Sequence, residues 1–509
     1  MPSARGLEAW SDTVWRGERV HNQLLLTTNE EVISRLSYSV SDLKSGGNTI
    51  PASCVTLRGV DYVAGDELAT DCGAQTTRHT VYLGDALTAN LPSRVSRISP
   101  SLVWASIDIP SATAPGTYTG TIQVKQDDKT AVSLPVSLLV TAHSLPAVAD
   151  WQFHLDLWQF PFQLSKLCSE NGDKVEPFSD RYFTLMRPFY AMLADAGQKA
   201  ITTYIKDGAF NTGETMVDWS RDDDGTYHFD YTKFDRFVEF MMGLGIDRQI
   251  NCHSLAGWSN KVGYTNTATG AYNYMSLAIS TAQFAKVWDT FLNDFRSHLT
   301  AKGWMERTVL YMDEVRQTDM ARIVDVIRAN GNDWKIGLAG QDMEASVEQQ
   351  LFDYSTIIGT NRHTTGHTRA TFYTSCSQTH PNNYVAADTE PAEMTWMAWH
   401  ALARGFNGYT RWAYDYWTVT DPMNAQDATN TAGDFHMIYR TDNTAASKPV
   451  ASMRLELLRC GIQDYEKVRI LGVSNLTSVI ALFTDPKAPN ARQNVMKAQA
   501  QLKTLSAKD

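Results

Sequence analysis

Short runs of alternating apolar and polar residues fill the first 148 positions of the chain. A period of two predicts β-strands with one buried face, and turn residues separate the runs. In one example a strand begins at Pro115-Gly116, the pair Asp127-Asp128 predicts a hairpin turn, and residues 132–140 return as the partner strand. Strands at this spacing, with no convincing helix between them, predict a β-sandwich domain over residues 1–148.

The pattern changes at about residue 149, after a predicted linker over residues 144–150 that contains Pro146. Apolar strand-like runs now alternate with stretches whose apolar residues recur every three or four positions, which is the period of an amphipathic helix. The predicted strands are 151–157, 199–205, 247–253, 308–313, 334–339, 355–359, 370–375 and 408–413. The predicted helices are 180–196, 231–243, 281–299, 317–329, 391–404 and 450–472.

Eight strands that alternate with helices are what a (β/α)8 barrel requires, whereas a doubly wound sheet usually stops at about five or six strands. The expected architecture is therefore multidomain. An all-β N-terminal sandwich precedes a TIM-like (β/α)8 barrel over residues 149–472, and a short helical C-terminal extension covers residues 473–509.

Composition excludes several classes of protein. Hydrophobic residues make up 43% of the 509 residues and charged residues 20%. No apolar run approaches the roughly 18 residues that a membrane-spanning helix needs, so no transmembrane segment is expected. The net charge of −11 predicts no general attraction to nucleic acid. Aromatic residues make up 11% of the chain, and they suit both cores and walls that contact sugars.

The six cysteines include no Cys-x-x-Cys pair, so neither a structural zinc site nor a thioredoxin-like redox pair is expected. Cys54 and Cys72 lie close in sequence within the sandwich, and a disulfide between them is one expectation if the protein is exported. The chain opens Met-Pro-Ser-Ala-Arg, without the apolar stretch of a signal peptide. We therefore expect either a cytoplasmic protein or an exported one whose signal has been removed.

A barrel carries its chemistry at the carboxyl ends of its strands, and those positions define the candidate residues. They are mostly carboxylates and aromatic side chains, with one Arg, which predicts a polar, neutral, ring-shaped ligand. The candidates at or just after strand ends are Asp156, Trp158, His253, Trp258, Asp313, Glu314, Tyr373, Arg411, Trp412 and Tyr414.

Asp313 and Glu314 close the strand TVLYMDE. Adjacent strand residues point to opposite faces, but at the end of a strand the backbone turns and both can reach one pocket. Two close carboxylates raise one pKa, so that one group holds a proton near neutral pH while its neighbour is ionised. The alternative is that Glu314 only caps the helix that begins near Gln317.

The seventh predicted strand, TFYTSC, contains no acidic residue. Retaining glycosidases of the usual type place a second carboxylate about 5 Å across the sugar as nucleophile. Its absence from this strand favours a mechanism in which the substrate supplies its own nucleophile, as 2-acetamido sugars do.

Segments along the second part of the chain occur in the order typical of one enzyme family. They are FHLDLWQFPF, AGQKAITTYI, FDYTKFDRFVEFMMGLGID, MDE, TFYTSC, GFNGYTRWAYDYW and LLRCGIQDYEK. Together they resemble glycoside hydrolase family 123, β-N-acetylgalactosaminidases with an N-terminal β-sandwich and a (β/α)8 barrel.

The resemblance implies an exo-acting, retaining β-N-acetylgalactosaminidase that forms an oxazolinium intermediate from the 2-acetamido group. Asp313 would orient and polarise that group, and Glu314 would act as general acid and then general base. The implied partner is a glycan or glycolipid with a terminal β-linked N-acetylgalactosamine, and no cofactor is implied. Two positions depart from the family pattern: Val315 follows the acid pair where an Arg is usual, and His253 stands where a Tyr is usual.

The other candidate residues are expected to contact the substrate in different ways. Trp258 is the first choice for a platform against the apolar face of a galacto-configured sugar, and Trp158 and Trp412 are further wall candidates. Tyr373 and Tyr414 are candidates to hydrogen-bond the acetamido oxygen. Asp156 is predicted to bind sugar hydroxyls and His253 to form part of the wall, while Arg411 either contacts substrate or pairs with an acid of the barrel.

No metal site is predicted. The segment RDDDGTY lacks acids at the positions that an EF-hand would require, and we interpret it as a hairpin turn. His363 and His367 in HTTGH have i, i+4 spacing, but the Thr and Gly residues between them argue against the helix that a shared metal would need.

Two alternatives stay open from the sequence. The acid pair contacts the acetamido group whichever way the C4 hydroxyl points, so a β-N-acetylglucosaminidase is one of them. The other is a glycan-binding protein that has lost catalysis. A glycan substrate favours a periplasmic or extracellular location, with a cytoplasmic one still open.

Overall fold

The computed structural model describes residues 9–73, 78–360, 366–427 and 429–508 of the chain. Its N-terminal part consists of β-strands joined by turns and one short 3-10 helix. The strands are β1 (Trp10–Arg16), β2 (Arg19–Leu26), β3 (Val32–Ser34), β4 (Leu36–Val40), β5 (Leu43–Ser45), β6 (Asn48–Ile50), β7 (Val55–Asp66), β8 (Thr80–Thr88), β9 (Arg94–Ser96), β10 (Ser101–Asp108), β11 (Gly116–Gln126) and β12 (Lys129–Ser144).

Ten of these strands form two packed sheets, which confirms the predicted sandwich, and β3 and β9 pair with each other as a separate small sheet. One sheet has the order β1-β12-β11-β5-β6, with β4 also paired to β11, and the other begins β2-β10-β7-β8. Val14 and Leu138 of the first sheet and Ile107 of the second are buried in one hydrophobic cluster between them. The predicted turn at Asp127-Asp128 joins β11 to β12, with φ values of 48° and 62° that suit a two-residue hairpin.

The second part contains an eight-stranded parallel sheet that curves into a nearly closed barrel, as predicted. Its strand order is β13-β24-β23-β22-β21-β20-β17-β14. These strands are β13 (His154–Leu157), β14 (Ala200–Tyr204), β17 (Gln249–His253), β20 (Thr308–Asp313), β21 (Lys335–Gly340), β22 (Asp353–Ile357), β23 (Arg369–Tyr373) and β24 (Gly408–Arg411).

Helices follow the barrel strands and form the outer layer. They begin and end where cap residues allow: Thr281 accepts a hydrogen bond from the amide of Phe284, and Gly303, with a φ of 71°, ends the same helix. The helices are α1 (Gln163–Glu170), α2 (Asp180–Asp195), α3 (Thr232–Met242), α4 (Ala282–Lys302), α5 (Gln317–Asn330), α6 (Ala345–Glu348), α7 (Ala392–Arg404), α8 (Met453–Leu471), α9 (Thr477–Ile480) and α10 (Ala491–Ser506). Among the described residues, no helix is both long enough and apolar enough to cross a membrane.

The barrel closes between β13 and β14 through fewer backbone contacts than elsewhere. A single bridge joins Leu155 to Gln198, and the Gln198 side chain accepts a hydrogen bond from the amide of Leu157. Between the other strands of the barrel, backbone hydrogen bonds hold the pair together. Between β13 and β14 the side chain of Gln198 takes over part of this role.

An additional small sheet, not predicted from the sequence, lies in the connections after β14 and β17. Its strands are β15 (Asp218–Arg221), β16 (Tyr227–Asp230), β18 (Lys261–Asn266) and β19 (Tyr272–Ser276). The antiparallel pairing of β15 with β16 confirms that RDDDGTY is a hairpin turn. Its tyrosines bring polar hydroxyls to the barrel: those of Tyr272 and Tyr274 both donate to Asp207.

The chain returns to the sandwich after the eighth barrel strand. Strands β25 (Tyr439–Arg440) and β26 (Pro449–Ser452) extend the second sandwich sheet through pairing of β26 with β8. At the C-terminus, the indole of Trp15 in β1 donates a 2.8 Å hydrogen bond to Ser506 of α10. The tail is helical, as predicted, and it packs on the N-terminal sheet.

The disulfide between Cys54 and Cys72 that the sequence left open for an exported protein does not form. Cys72 is bonded to Cys376, and Cys54 is free and partly buried at the start of β7. Cys72 lies in the loop after β7 that reaches the mouth of the barrel, where it meets the loop after β23. Proximity in sequence failed as a guide because β7 carries the chain away from Cys54 over its full length.

Candidate active site

A cavity of about 590 Å³ opens at the carboxyl ends of the barrel strands. This is the end at which a (β/α)8 barrel assembles side chains from several loops. The lining residues include an acidic pair, a polar rim and an aromatic wall: Cys72, Trp158, Phe160, Phe210, Asn211, Trp258, Asp313, Glu314, Ala339, Gln341, Ile357, Tyr373, Thr374, Ser375, Cys376, Ser377, Thr410, Trp412, Tyr416, Asn430 and Phe435.

Both carboxylates of the MDE motif reach this cavity, as predicted. Asp313 ends β20, and the amide of Glu314 donates a 2.8 Å hydrogen bond to the carbonyl oxygen of Ala339 on β21. Glu314 has a φ of 49°, a left-handed conformation that costs a non-glycine residue about 1–3 kcal/mol. This turn brings two adjacent side chains to one cavity. Glu314 does not cap α5, whose N-cap is Arg316.

Asp313 lies in an environment that brings the ionisation of its carboxyl group close to neutral pH. Burial raises its pKa to about 7, and the neighbouring charge of Glu314 acts in the same direction. Trp258 opposes them, because its indole N–H donates a 2.7 Å hydrogen bond to Oδ2 of Asp313 and so favours the ionised form.

Glu314 is more open to solvent than Asp313 and has one hydrogen-bond donor among the aromatic residues of the cavity. The hydroxyl of Tyr373, at the end of β23, donates a 3.1 Å hydrogen bond to Oε1 of Glu314. Burial, and then the charges of Glu314 and Asp313, raise the pKa of Tyr373, which therefore remains a proton donor. The hydrogen bond between Tyr373 and Glu314 joins the end of the seventh barrel strand to the end of the fourth.

Aromatic rings form much of the wall, and three of the tryptophans predicted to line the site do so. Trp158 is 1% exposed and donates to Asp156, while Trp412 is partly exposed and donates to Asp434. Trp258 is different, since it is 68% exposed at the rim of the cavity. Large exposed aromatic faces next to polar groups are suited to contact with a ligand.

Four predicted contact residues do not line the cavity. Asp156 is 1% exposed below Trp158, accepts hydrogen bonds from Trp158, Gln198 and Asn251, and has a pKa raised to about 8, chiefly by burial. His253 is buried among aromatic rings, and burial lowers its pKa to about 3. The side chains of both lie inside the barrel, beneath the wall.

Arg411 and Tyr414 are the other two. The guanidinium of Arg411 is fully buried and pairs with Asp434, so the structural interpretation of this residue is the one that the geometry supports. The hydroxyl of Tyr414 donates a 2.9 Å hydrogen bond to the carbonyl oxygen of Phe189, away from the cavity. Alternation of side chains at the end of β24 accounts for Arg411 in the core and Trp412 at the mouth.

Several residues that line the cavity were not predicted from the sequence. Asn211, Gln341 and Asn430 come from loops, and Cys72 comes from the sandwich. No spacing pattern connects such positions, because their proximity depends on loop paths rather than on strand ends. Tyr416 is the exception, because it follows the end of β24 closely and such positions are the ones at which a barrel places its site.

The described residues contain no group of three or more His, Cys, Asp or Glu side chains arranged to hold a metal ion. His367 contacts the carbonyl oxygen of Leu351 and the carboxylate of Glu348. His363, which was not expected to share a metal ion with His367, lies outside the described residues.

Comparison with known structures finds a match over almost the full length of the chain. A family 123 glycoside hydrolase from Clostridium perfringens, studied for glycolipid glycan hydrolysis, has a TM-score of 0.86 and 22% sequence identity and covers 99% of this chain and 94% of its own. A Bacteroides ovatus GH5 xyloglucanase, with 8% identity, covers 89% of this chain and 98% of its own at a TM-score of only 0.29. No curated protein matches the chain.

Sequence comparison with protein families covers both parts of the chain. The pattern described as the glycoside hydrolase 123 N-terminal domain matches residues 2–126, and that of the glycoside hydrolase 123 catalytic domain matches residues 159–471. The second match spans well over half of the chain and includes both carboxylates of the cavity. The protein is therefore a glycosidase that belongs to glycoside hydrolase family 123.

Proposed function

We propose that the protein is an exo-acting, retaining β-N-acetylgalactosaminidase that uses the 2-acetamido group of its substrate as nucleophile. One observation carries the proposal: Asp313 and Glu314 are the only carboxylates among the described residues that line the cavity. A retaining mechanism with a protein nucleophile needs an acid and a nucleophile on opposite sides of the glycosidic bond. Two adjacent residues of one strand end are better suited to act on neighbouring groups of one sugar.

In the first step Glu314 donates its proton to the glycosidic oxygen as the bond from that oxygen to the anomeric carbon breaks. The acetamido carbonyl oxygen forms a bond to the anomeric carbon, which produces a cyclic oxazolinium. The carboxylate of Asp313 accepts a hydrogen bond from the acetamido N–H and stabilises the positive charge that develops there. The aglycone leaves with the proton of Glu314.

In the second step the ionised Glu314 takes a proton from a water molecule, whose oxygen forms a bond to the anomeric carbon. The bond between the acetamido oxygen and that carbon breaks, and the amide is restored. Displacement occurs twice at the same carbon, so the configuration is retained. Tyr373 donates a hydrogen bond to the ionised form of Glu314 between the two steps.

The walls of the cavity support a neutral sugar. Described lining residues include no Lys, Arg or His, so no positive side chain is present to bind an anionic group. An axial C4 hydroxyl leaves an apolar C–H face on a galacto-configured ring, which the indoles of Trp158, Trp258 or Trp412 can contact.

We extend the proposal to the substrate and to the location of the enzyme. The substrate is a glycan or glycolipid that ends in β-linked N-acetylgalactosamine, and the C. perfringens relative studied on glycolipid glycans supports this choice. A periplasmic or extracellular location is supported by the disulfide between Cys72 and Cys376, because disulfides persist in oxidising compartments.

Parallel hydrolysis of aryl β-N-acetylgalactosaminide, aryl β-N-acetylglucosaminide and aryl β-galactoside tests the proposal. We expect rapid hydrolysis of the first, slower hydrolysis of the second and none of the third. Equal rates on the first two would contradict the C4 preference, and hydrolysis of the galactoside would contradict participation of the acetamido group. Sugar binding without any product would favour a non-catalytic protein.

A thiazoline analogue of the oxazolinium provides a second test. We expect competitive inhibition of the wild-type enzyme and much weaker inhibition of Asp313→Asn, because the substituted side chain no longer offers a negative charge to the ring. Asp342→Asn is the matched control, since Asp342 follows β21 and is exposed outside the cavity lining. Indifference of the wild-type enzyme to the analogue would indicate a protein nucleophile.

A further inference from the structure

A second cavity of about 500 Å³ lies beside the catalytic one, at the ends of β13, β14 and β24. Its volume is within the usual range for small-ligand sites, roughly 300–1,000 Å³. The lining residues are Phe162, Gln163, Ser165, Lys166, Leu167, Ser169, Glu170, Val175, Glu176, Pro177, Asn211, Thr212, Gly213, Glu214, Tyr416, Trp417 and Thr418. Nothing in the proposed reaction uses this space.

Asn211 and Tyr416 line both cavities and form the wall between them. The hydroxyl of Tyr416 donates a 3.0 Å hydrogen bond to Oδ1 of Asn211, whose amide donates a 3.0 Å hydrogen bond to Oε2 of Glu214. Gln163 donates another to Oε1 of Glu214. A continuous hydrogen-bonded chain therefore leads from the catalytic cavity into the second one.

Glu214 is the carboxylate of the second cavity at which these hydrogen bonds converge. It is 9% exposed and its burial raises its pKa. Each carboxylate oxygen accepts one bond from a neighbouring amide and keeps capacity for another. A ligand that donates hydrogen bonds, such as a hydroxyl, matches that remaining capacity.

Ser165 contributes a second polar side chain to the lining of this cavity. It lines the cavity from α1, is only 2% exposed, and its hydroxyl has no hydrogen-bond partner among the described residues. An unsatisfied buried polar group costs roughly 1–3 kcal/mol, and natural proteins leave few of them without a function. A hydroxyl both donates and accepts, so another hydroxyl is a suitable partner.

The charges of the lining exclude an anionic ligand. Glu170, Glu176 and Glu214 face a single cation, Lys166. Phe162 and Tyr416 add aromatic surface that suits the C–H face of a sugar ring. Hydrogen-bond acceptors and aromatic surface, with more negative than positive side chains in the lining, together match a neutral carbohydrate.

We propose that the second cavity is a binding site for one neutral hexose or N-acetylhexosamine unit, separate from the catalytic cavity. A sugar in this site contacts the same Asn211–Tyr416 wall that faces the substrate on the other side. Its occupancy is therefore expected to change the KM of the catalytic site.

Equilibrium dialysis with radiolabelled N-acetylgalactosamine and galactose tests the proposal on the full chain, since a monosaccharide carries no glycosidic bond to be hydrolysed. The test variants are Thr212→Trp, which fills the second cavity from an exposed position, and Glu214→Ala, which removes the central carboxylate. Thr300→Trp is the control, because Thr300 is exposed on α4 outside both linings.

We expect Thr212→Trp and Glu214→Ala to bind one sugar molecule fewer per chain than Thr300→Trp at saturation. Equal numbers in Thr212→Trp and Thr300→Trp would overturn the proposal. The same difference measured with N-acetylneuraminic acid would overturn the assignment to a neutral sugar. The sugar that Thr212→Trp still binds is bound in the catalytic cavity. A failure of the proposed function would therefore appear as loss of this remaining sugar, and a failure of the second site as no difference between Thr212→Trp and Thr300→Trp.

Discussion

The indole N–H of Trp258 and Oδ2 of Asp313 are 2.7 Å apart, so an exposed side chain at the rim of the cavity influences the ionisation of the carboxyl group beneath it. The hydrogen bond lowers the pKa of Asp313, whereas burial raises it. The pKa of Asp313 near neutral pH thus depends on a hydrogen bond from a largely exposed ring.

Trp258→Phe is expected to shift the pH dependence of kcat/KM. Loss of the hydrogen bond raises the pKa of Asp313 further above about 7, and the proposed reaction requires the carboxylate form. The acidic limb of the profile therefore moves to higher pH, by roughly 0.5–1 unit for a bond that contributes about 1 kcal/mol. Trp412→Phe, whose indole contacts Asp434 instead, is expected to leave the limb in place. A limb that moves to lower pH in Trp258→Phe would contradict this assignment.

Asp313→Asn is expected to stabilise the fold at alkaline pH. The pKa of Asp313 is raised to about 7 in the folded protein from an ordinary 3.8, so ionisation of this group destabilises the fold as pH rises between those values. The Tm of the variant should exceed that of the wild type at pH 8, and the difference should vanish below pH 4. Asp342→Asn is the control and is expected to show no such dependence. A constant difference at all pH values would refute the argument.

Glu314→Gln is expected to lower kcat/KM by roughly 10²–10⁴-fold on substrates with poor leaving groups. Aryl glycosides with strongly acidic phenols should lose less in the first step, because their leaving groups need little protonation. The comparison of two phenols in one variant separates loss of the acid from misfolding. Equal losses on both would argue that Glu314 is not the proton donor.

Tyr373→Phe removes the hydrogen bond to Oε1 of Glu314 and is expected to lower kcat roughly tenfold, with a smaller change in KM. The reason is that the hydroxyl stabilises the ionised Glu314 formed after the first proton transfer. Tyr409→Phe is a matched control, since the Tyr409 hydroxyl is also buried but is bonded to Thr374. Equal losses in the two variants would indicate a general packing effect.

Reduction of the Cys72–Cys376 bond is expected to raise KM several-fold and to change kcat less. Both cysteines line the cavity, so its wall loosens when they separate. The loop around Cys72 remains attached to the barrel in part, because the amide of Ala69 donates to Asp388. Cys72→Ser should reproduce the effect in steady-state assays and Cys54→Ser should not. An unchanged KM after complete reduction would exclude a role for this wall in substrate binding.

The barrel could be predicted closely from the sequence because its strands are buried apolar runs that alternate with amphipathic helices. The strand predicted over 308–313 has the same limits in the structure, and the helix predicted over 391–404 differs by one residue. The sheet formed by β15, β16, β18 and β19 was not predicted. Its strands are short and partly exposed, so they carry little of the hydrophobic periodicity on which the prediction depends.

Parts of the site could be predicted for the same reason. Asp313, Glu314 and Tyr373 follow directly from strand ends, which all meet at one edge of the sheet. The burial of Arg411 could not be predicted, because its partner Asp434 lies in a long irregular connection. The position of Cys72 could not be predicted either, since the contact joins two domains across 304 residues.

That same bond makes the catalytic domain part of a covalent ring. The segment between Cys72 and Cys376 contains the first seven strands of the barrel, while the eighth, β24, lies outside it. A protease that cuts a single loop within this ring leaves both fragments attached, and both sides of the cut still contribute to one cavity. The protein can therefore tolerate a nick in an exposed loop without separation of Asp313 from the aromatic wall that surrounds it.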